Sequence, residues 1–124
     1  MKIKGMFIYC AVFLALFGIL FVVIPAFSLS LFAITLDSAG LMMVRLFGAA
    51  LLGLAVISWM VRDETPSKAR HAVILGQCLE SAIAFVILVI GILSGVGNVL
   101  GWIPTLLHLS IALGFGYFLV IKSD

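Results

Sequence analysis

The stretch Val61–Val73 reads VRDETPSKARHAV and decides the fold. It opens on the dense charge cluster Arg62-Asp63-Glu64 and continues through Lys68, Arg70 and His71. On either side the chain turns apolar, from Leu41 to Val61 before it and from Ala72 to Leu93 after it. At about 1.5 Å rise per residue, a run of about 20 apolar residues crosses a hydrocarbon core roughly 30 Å thick. The charged stretch is therefore a polar connection between two membrane spans. Within it, Thr65-Pro66 reads as an N-cap followed by proline at the first helical position, which predicts a helix over 66–93.

Outward from this pair the pattern repeats. Asp37 or Ser38 is the expected N-cap of the helix over 41–61. The preceding segment Ala26–Leu36, AFSLSLFAITL, is apolar but broken by Ser28 and Ser30. It is expected to lie at the membrane interface or to dip shallowly into it. Pro25 ends a first helix over 6–24, because proline lacks a donor and clashes with the turn before it. On the other flank, Ser94–Trp102 (SGVGNVLGW) is glycine-rich and uncharged, and reads as a turn. A last helix follows over 103–121, with Pro104 in its first turn, and the chain closes on Lys122-Ser123-Asp124. The expected fold is all-α: a four-transmembrane-helix bundle forming one domain over 1–124.

Composition agrees. Of 124 residues, 65% are hydrophobic and 10% charged, whereas a soluble domain is about half apolar and a quarter charged. A soluble fold this small leaves too much surface in water to hide that apolar share. The net charge of +2 is too small to suggest nucleic acid, and no nucleic-acid partner is expected. The N-terminus mimics a secretory signal, with Lys2, Lys4, an apolar run, and small residues at Ala26 and Ser28. The run from Met6 to Ile24 is long for a signal and right for a span, so it is expected to be retained. Cys10 follows Ile8-Tyr9 and lacks the small residue that lipoprotein processing requires, so no lipid anchor is expected there.

With four spans, Lys2, Lys4, Arg62, Lys68, Arg70 and Lys122 all fall on one side, and neither connection on the other side holds Lys or Arg. The positive-inside rule then places both termini in the cytoplasm, with the chain in the inner (cytoplasmic) membrane. Tyr9, Trp59 and Tyr117 mark the inner boundary and Trp102 the outer one. Small residues four apart predict where helices approach: Ala11 and Ala15, Ala49 and Gly53, Gly91 and Gly95, Ser110 and Gly114, Ala112 and Gly116. They serve contacts inside the bundle or with a second copy.

Arg45, Glu80 and His108 are the ionisable residues within the spans, and each should face protein or a wet cavity. Glu80 lies about 12 Å from the inner edge, with Gln77 on the same face. It reads either as a proton- or cation-binding carboxylate or as a hydrogen-bonded group joining helices. Arg45 lies nearer the outer boundary, where it reaches headgroups or Asp37. A direct Arg45–Glu80 bridge is not expected, because the two side chains lean apart along antiparallel helices. His108 is placed at a depth like that of Arg45, and Arg45, His108 and Asp37 together can line an outward-facing polar pocket. A lone histidine is a weak signal for haem, and there is no CxxC, phosphate loop, metal cluster or nucleophile triad. No catalytic residue, metal or cofactor is expected.

The run RLFGAALLGLAVISW (Arg45–Trp59), with LGW at Leu100–Trp102 and ALGFGYF at Ala112–Phe118, resembles a group of small uncharacterised bacterial membrane proteins with four helices. The resemblance covers most of the chain, implies the four-helix fold and makes Arg45 part of a shared motif. The Arg-Leu-Phe-Gly opening at Arg45 is also similar to ergosterol biosynthetic protein 28, a four-helix scaffold that tethers enzymes. Arg70 with Gln77-x-x-Glu80 is similar to a motif of the membrane-associated eicosanoid and glutathione metabolism enzymes, although that motif has asparagine for Gln77 and lies on the second helix. The leading expectation is a non-enzymatic accessory or scaffold subunit of a membrane assembly. Its partners would be the lipid bilayer, further copies of itself or other membrane subunits. A small proton-coupled transporter or channel using Glu80 is the alternative, and a membrane enzyme acting on a lipid-like substrate the third.

Overall fold

The computed structural model describes residues 2–121, and Lys122, used above for orientation, lies outside them. The elements are α1 (Ile3–Val23), α2 (Pro25–Ser30), α3 (Ser38–Val61), α4 (Lys68–Leu93), a single 3₁₀ turn (Val99–Gly101) and α5 (Trp102–Val120). Among the described residues there is no strand. Four helices, α1, α3, α4 and α5 with its 3₁₀ turn, are long and apolar enough to cross a membrane. They run up and down, so Ile3, Val61, Lys68 and Val120 share one end, here called basal. Val23, Ser38, Leu93 and Trp102 share the other, distal end.

Each boundary has a local cause. Pro25 does stop α1, and Ile24 leaves the helical region at φ −131° and ψ 57°. Pro25 then takes the first position of a new helix at once, where its missing donor costs nothing. The serines do not break this segment. The Ser28 hydroxyl donates to the carbonyls of Ile24 (2.8 Å) and Leu20 (3.2 Å), supplying a donor beside the proline that has none. Ser30 donates to the Phe27 carbonyl at 2.6 Å. Of the two caps considered for α3, Asp37 is the one used, its carboxylate accepting from the Gly40 N–H at 2.8 Å. For α4 the reading of Thr65-Pro66 is corrected. The cap is Ser67, whose hydroxyl accepts from the Arg70 N–H at 3.1 Å. The helix starts at Lys68, not at residue 66. Proline pushes the residue before it toward extended backbone, and Ser67, itself extended, offers its hydroxyl one turn later.

The helices pack as two pairs. α1 lies along α3 and α4 along α5, with a lesser contact of α1 on α5 and little between α3 and α4 although they follow in sequence. The first pair closes at Gly18 and Gly48. A Cβ on Gly18 would lie 3.1 Å from the Gly48 carbonyl, and one on Gly48 3.0 Å from the Gly18 carbonyl. The backbones therefore touch there, as membrane helices do at small residues. This pair, and not Ala49 with Gly53, makes the crossing; both of those are exposed, and nothing lies within 4 Å of a Cβ built on Gly53. α1 is the most buried of the long helices. Its Phe7, Cys10 and Leu14 meet Leu51 and Ala55 of α3, Ile74 of α4, and Ile111 and Phe115 of α5 in one core. The Phe7 and Phe115 ring centroids are 5.1 Å apart, and the Tyr9 and Ser110 hydroxyls are bonded at 2.7 Å across α1 and α5.

Candidate functional site

Because α3 and α4 barely touch, a cleft of about 650 Å³ opens between the two pairs in the distal half of the bundle. One wall is a ladder of rings on α1. Phe13, Phe17 and Phe21 recur every four residues and so share a face, stacked edge-on at 5.0 and 5.7 Å, with Phe47 of α3 6.0 Å from Phe21. The facing wall is aliphatic, from Ile83, Ala84, Ile87 and Leu88 of α4. The distal end is roofed by two connections pinned together. The Asn98 side-chain amide donates to the Leu31 carbonyl at 3.0 Å. Gly97 presses on Phe32, where a Cβ would lie 2.9 Å from the carbonyl oxygen, and its φ of 75° favours glycine in any case. Phe47, Ile83 and Ile87 are 48%, 52% and 62% exposed, so the cleft opens sideways, between α3 and α4.

Two polar side chains, Glu80 and His108, line it among the described residues, and they meet at its basal floor. Glu80 Oε2 lies 3.8 Å from His108 Nδ1, just beyond hydrogen-bond length, and accepts from the Ser81 hydroxyl at 3.0 Å. The His108 side chain is 8% exposed and that of Glu80 30%. The histidine is thus enclosed, against the edge of Phe13 at 5.1 Å, while the carboxyl faces the cleft. His108 Nδ1 is buried and has no hydrogen-bond partner among the described residues.

The expected grouping of residues is therefore revised. His108 belongs with Glu80, not with Arg45. Counted from the distal turn that joins α4 to α5, Glu80 lies thirteen residues below Leu93, about 20 Å. His108 lies below Val99 by a 3₁₀ turn and six helical residues, about 15 Å. Gln77 also parts from Glu80. Three residues turn a helix by about 300°, which leaves the two side chains about 60° apart, enough to aim at different neighbours. The Gln77 amide donates to Ser58 at 2.9 Å, and the Ser58 hydroxyl points at Cys10 Sγ, 3.9 Å away. Together they tie α4, α3 and α1 beneath the cleft.

Arg45 and Asp37 do not form a polar pocket with His108. Asp37 is occupied as a cap. Arg45 is exposed, and its Nε donates to the Val22 carbonyl at 3.3 Å. That carbonyl lies in the last turn of α1, where the break at Ile24 and Pro25 leaves acceptors open. A guanidinium there satisfies an acceptor and sits favourably at the negative end of the helix. The cleft that His108 lines does not include Arg45.

At the basal end, Asp63 accepts from Lys4 at 2.5 Å and lies 3.3 Å from Arg62. The hydrogen bond from Lys4 is the main reason its carboxyl is held below the usual carboxylate range. Arg62 stacks 4.0 Å from the Trp59 ring centroid and donates to the Trp59 carbonyl. Arg70 is buried and donates to the Glu64 carbonyl at 2.7 Å.

The aromatic ladder is the part of the site that sequence reasoning missed. Its signal, phenylalanine at every fourth position of the first helix, was present in FLALFGILF at Phe13–Phe21. No curated protein and no solved structure matches the chain. One family model does, over residues 8–122, from the first turns of α1 past the end of α5 and through both floor residues. The chain belongs to that family, which is described as Domain of unknown function (DUF8292).

Proposed function

We propose that the protein is a multi-pass protein of the bacterial inner membrane, with both termini in the cytoplasm, that serves a membrane assembly as an accessory subunit by holding an apolar molecule between its helix pairs. The supporting observation is the cleft. Protein interiors are close-packed and leave few voids larger than a water molecule. A space of about 650 Å³, walled by rings and aliphatic chains with two polar groups at one end, has the size and lining of a ligand pocket. Its side opening faces the surroundings of the bundle, which in a membrane is lipid. The basal clustering of Lys2, Lys4, Arg62, Lys68 and Arg70 supports the orientation.

The test is purification in mild detergent followed by native mass spectrometry. The wild type is expected to retain a lipid-soluble molecule. Ala84→Trp, which puts an indole into the middle of the cleft, is expected to lose it while staying helical and monodisperse. Equal retention by both would rule the reading out. The accessory role predicts co-purification with a defined membrane partner, and a solitary monomer in every mild detergent would contradict it.

A second reading, a small proton-coupled transporter, is favoured by the Glu80–His108 pair. The carboxyl and the imidazole face each other 3.8 Å apart at the floor of the cleft, and ionisable side chains set inside membrane spans are the usual carriers of a proton path. In proteoliposomes Glu80→Gln would then abolish proton-linked flux while the protein still folds, and unchanged flux would remove this reading.

A further inference from the structure

The floor of the cleft is specific enough to name a class of ligand. We infer that the cleft takes a neutral, lipid-soluble molecule with an oxygen-bearing ring as its head, of the quinone or phenol class, whose head hydrogen-bonds to the Glu80 carboxyl while His108 steadies that carboxyl from behind. This rests on the cleft being a binding site, as proposed above.

The way in selects for solubility in hydrocarbon. The roof is closed by Asn98 on Leu31 and by Gly97 on Phe32, and the side between α3 and α4 is open. The walls select for a flat head. Rings on the α1 ladder offer edges and faces to a planar group, an arrangement worth more than area alone. The floor selects for a neutral one. An anionic head has no support, since among the described residues no Lys or Arg lines the cleft and Arg45 is bonded to Val22 at the end of α1. A cationic head would need a desolvated carboxylate for itself, whereas here an imidazole already lies beside it. A neutral hydrogen-bonding head imposes neither cost.

The division of labour follows from exposure. Glu80 is the group that a ligand in the cleft can touch, and His108 is enclosed behind it. A buried nitrogen without a partner is costly to leave so. The 3.8 Å gap between Nδ1 and Oε2 closes with a small rotation of the glutamate. With the Ser81 hydroxyl and the His108 Nδ1–H both donating to Oε2, the second carboxyl oxygen is left toward the cleft, where as O–H it donates to a quinone carbonyl and as the bare oxygen it accepts from a phenol.

The experiment titrates the purified full-length protein with three probes, following quenching of the intrinsic tryptophans and, for the non-quenching probes, displacement. The probes are a decyl-substituted benzoquinone, decylbenzene, and tetraphenylphosphonium. The quinone should bind saturably and about tenfold more tightly than decylbenzene, the ratio that about one net hydrogen bond supplies. Glu80→Gln, which keeps a neutral hydrogen-bonding group, should preserve that ratio, and Glu80→Leu should erase it. His108→Phe should lower the ratio without changing decylbenzene affinity, and His108→Gln should restore it, a pattern that general loosening of the fold would not give. A photoreactive quinone on the wild type, which needs no folded variant, should label peptides holding Phe13–Phe21 or Glu80–Leu88. Labelling only elsewhere would overturn the inference.

Equal binding of decylbenzene would overturn the head-group claim and leave the cleft reading standing. Tighter binding of tetraphenylphosphonium, lost in Glu80→Gln, would make this a cation site and overturn the inference likewise. If no probe binds and Ala84→Trp changes nothing, the inference and the reading beneath it fall together.

Discussion

Arg45 and Glu80 look alike in the sequence, each an ionisable residue inside an apolar run, and the structure gives them unlike work. Arg45 ends a helix: its guanidinium bonds the Val22 carbonyl at the broken end of α1. Arg45→Leu is therefore expected to lower thermal stability by about 1 kcal/mol, the scale of a helix-end charge with its hydrogen bond. It should leave ligand binding in the cleft unchanged. Arg45→Lys should recover part of the loss, because a compact ammonium carries the charge without the planar donor set. Thermal melts in detergent check both, and a loss of binding without a loss of stability would contradict the assignment. Glu80 and His108 were legible as residues in need of a partner, because a charge in a span demands one. That they are each other's partner was not legible. It depends on how far α4 and α5 slide past one another, which is set by the 3₁₀ turn at Val99–Gly101 and its pinning to Leu31 and Phe32. No local pattern reports that.

At the scale of elements, the end of α1 and the start of α3 were read well, whereas the start of α4, capped by Ser67 and not by Thr65, and the helix over Pro25–Ser30 were not. Asp37 and Pro25 announce themselves by chemistry. The helix over Pro25–Ser30 did not, because its serines bond backwards into the chain, and in sequence they look like interruptions. Removing that bond in Ser28→Ala takes from the Ile24 carbonyl one of its two donors, leaving the Ser28 N–H, and empties the buried place of the hydroxyl. A loss of about 1 kcal/mol follows, and amide exchange should rise across residues 20–30 before it rises elsewhere. The α1–α3 crossing is stricter. Gly48→Val puts branched bulk where even a single carbon would lie 3.0 Å from the Gly18 carbonyl and 2.9 Å from Phe21 Cβ. Overpacking of this kind costs about 1–3 kcal/mol, so Gly48→Val should melt well below the wild type. Gly53→Val, on the same helix but facing outward, should not. Similar melting of the two variants would mean that the crossing lies elsewhere. Small residues in apolar helices are too common to single out Gly18 and Gly48 from sequence. Only the rotation of α1 against α3 does so.

At the scale of the molecule, two tight pairs are joined along one seam, and the cleft exists because the seam is partial. The basal end supplies the joint. Phe7 meets Phe115 and Tyr9 bonds Ser110 between α1 and α5, while Gln77 bonds Ser58 between α4 and α3. The Lys4–Asp63 pair lies within the first unit. Its carboxyl is held low by Lys4, so its contribution is present above about pH 4, the unfolded value, and is lost as pH falls through the lower folded value. Because the pair is solvent-exposed, Asp63→Asn should scarcely change stability at neutral pH. The seam itself can be cut. If the chain is expressed as two pieces divided in the basal connection, residues 1–64 and 65–124, each piece keeps one pair intact. The joint consists of aromatic packing and hydrogen bonds that do not need the connection, so the pieces are expected to co-purify through a tag on one of them. Arg70 reaching back to the Glu64 carbonyl should help to align the cut ends. Phe115→Ala removes a fully buried ring from the seam, and with it about 3–5 kcal/mol. It should weaken recovery of the untagged half far more than Phe47→Ala, whose ring lies at the mouth of the cleft. Recovery that depends on Phe47 and not on Phe115 would mean that the pairs close over the cleft and part at the base, the reverse of the arrangement described.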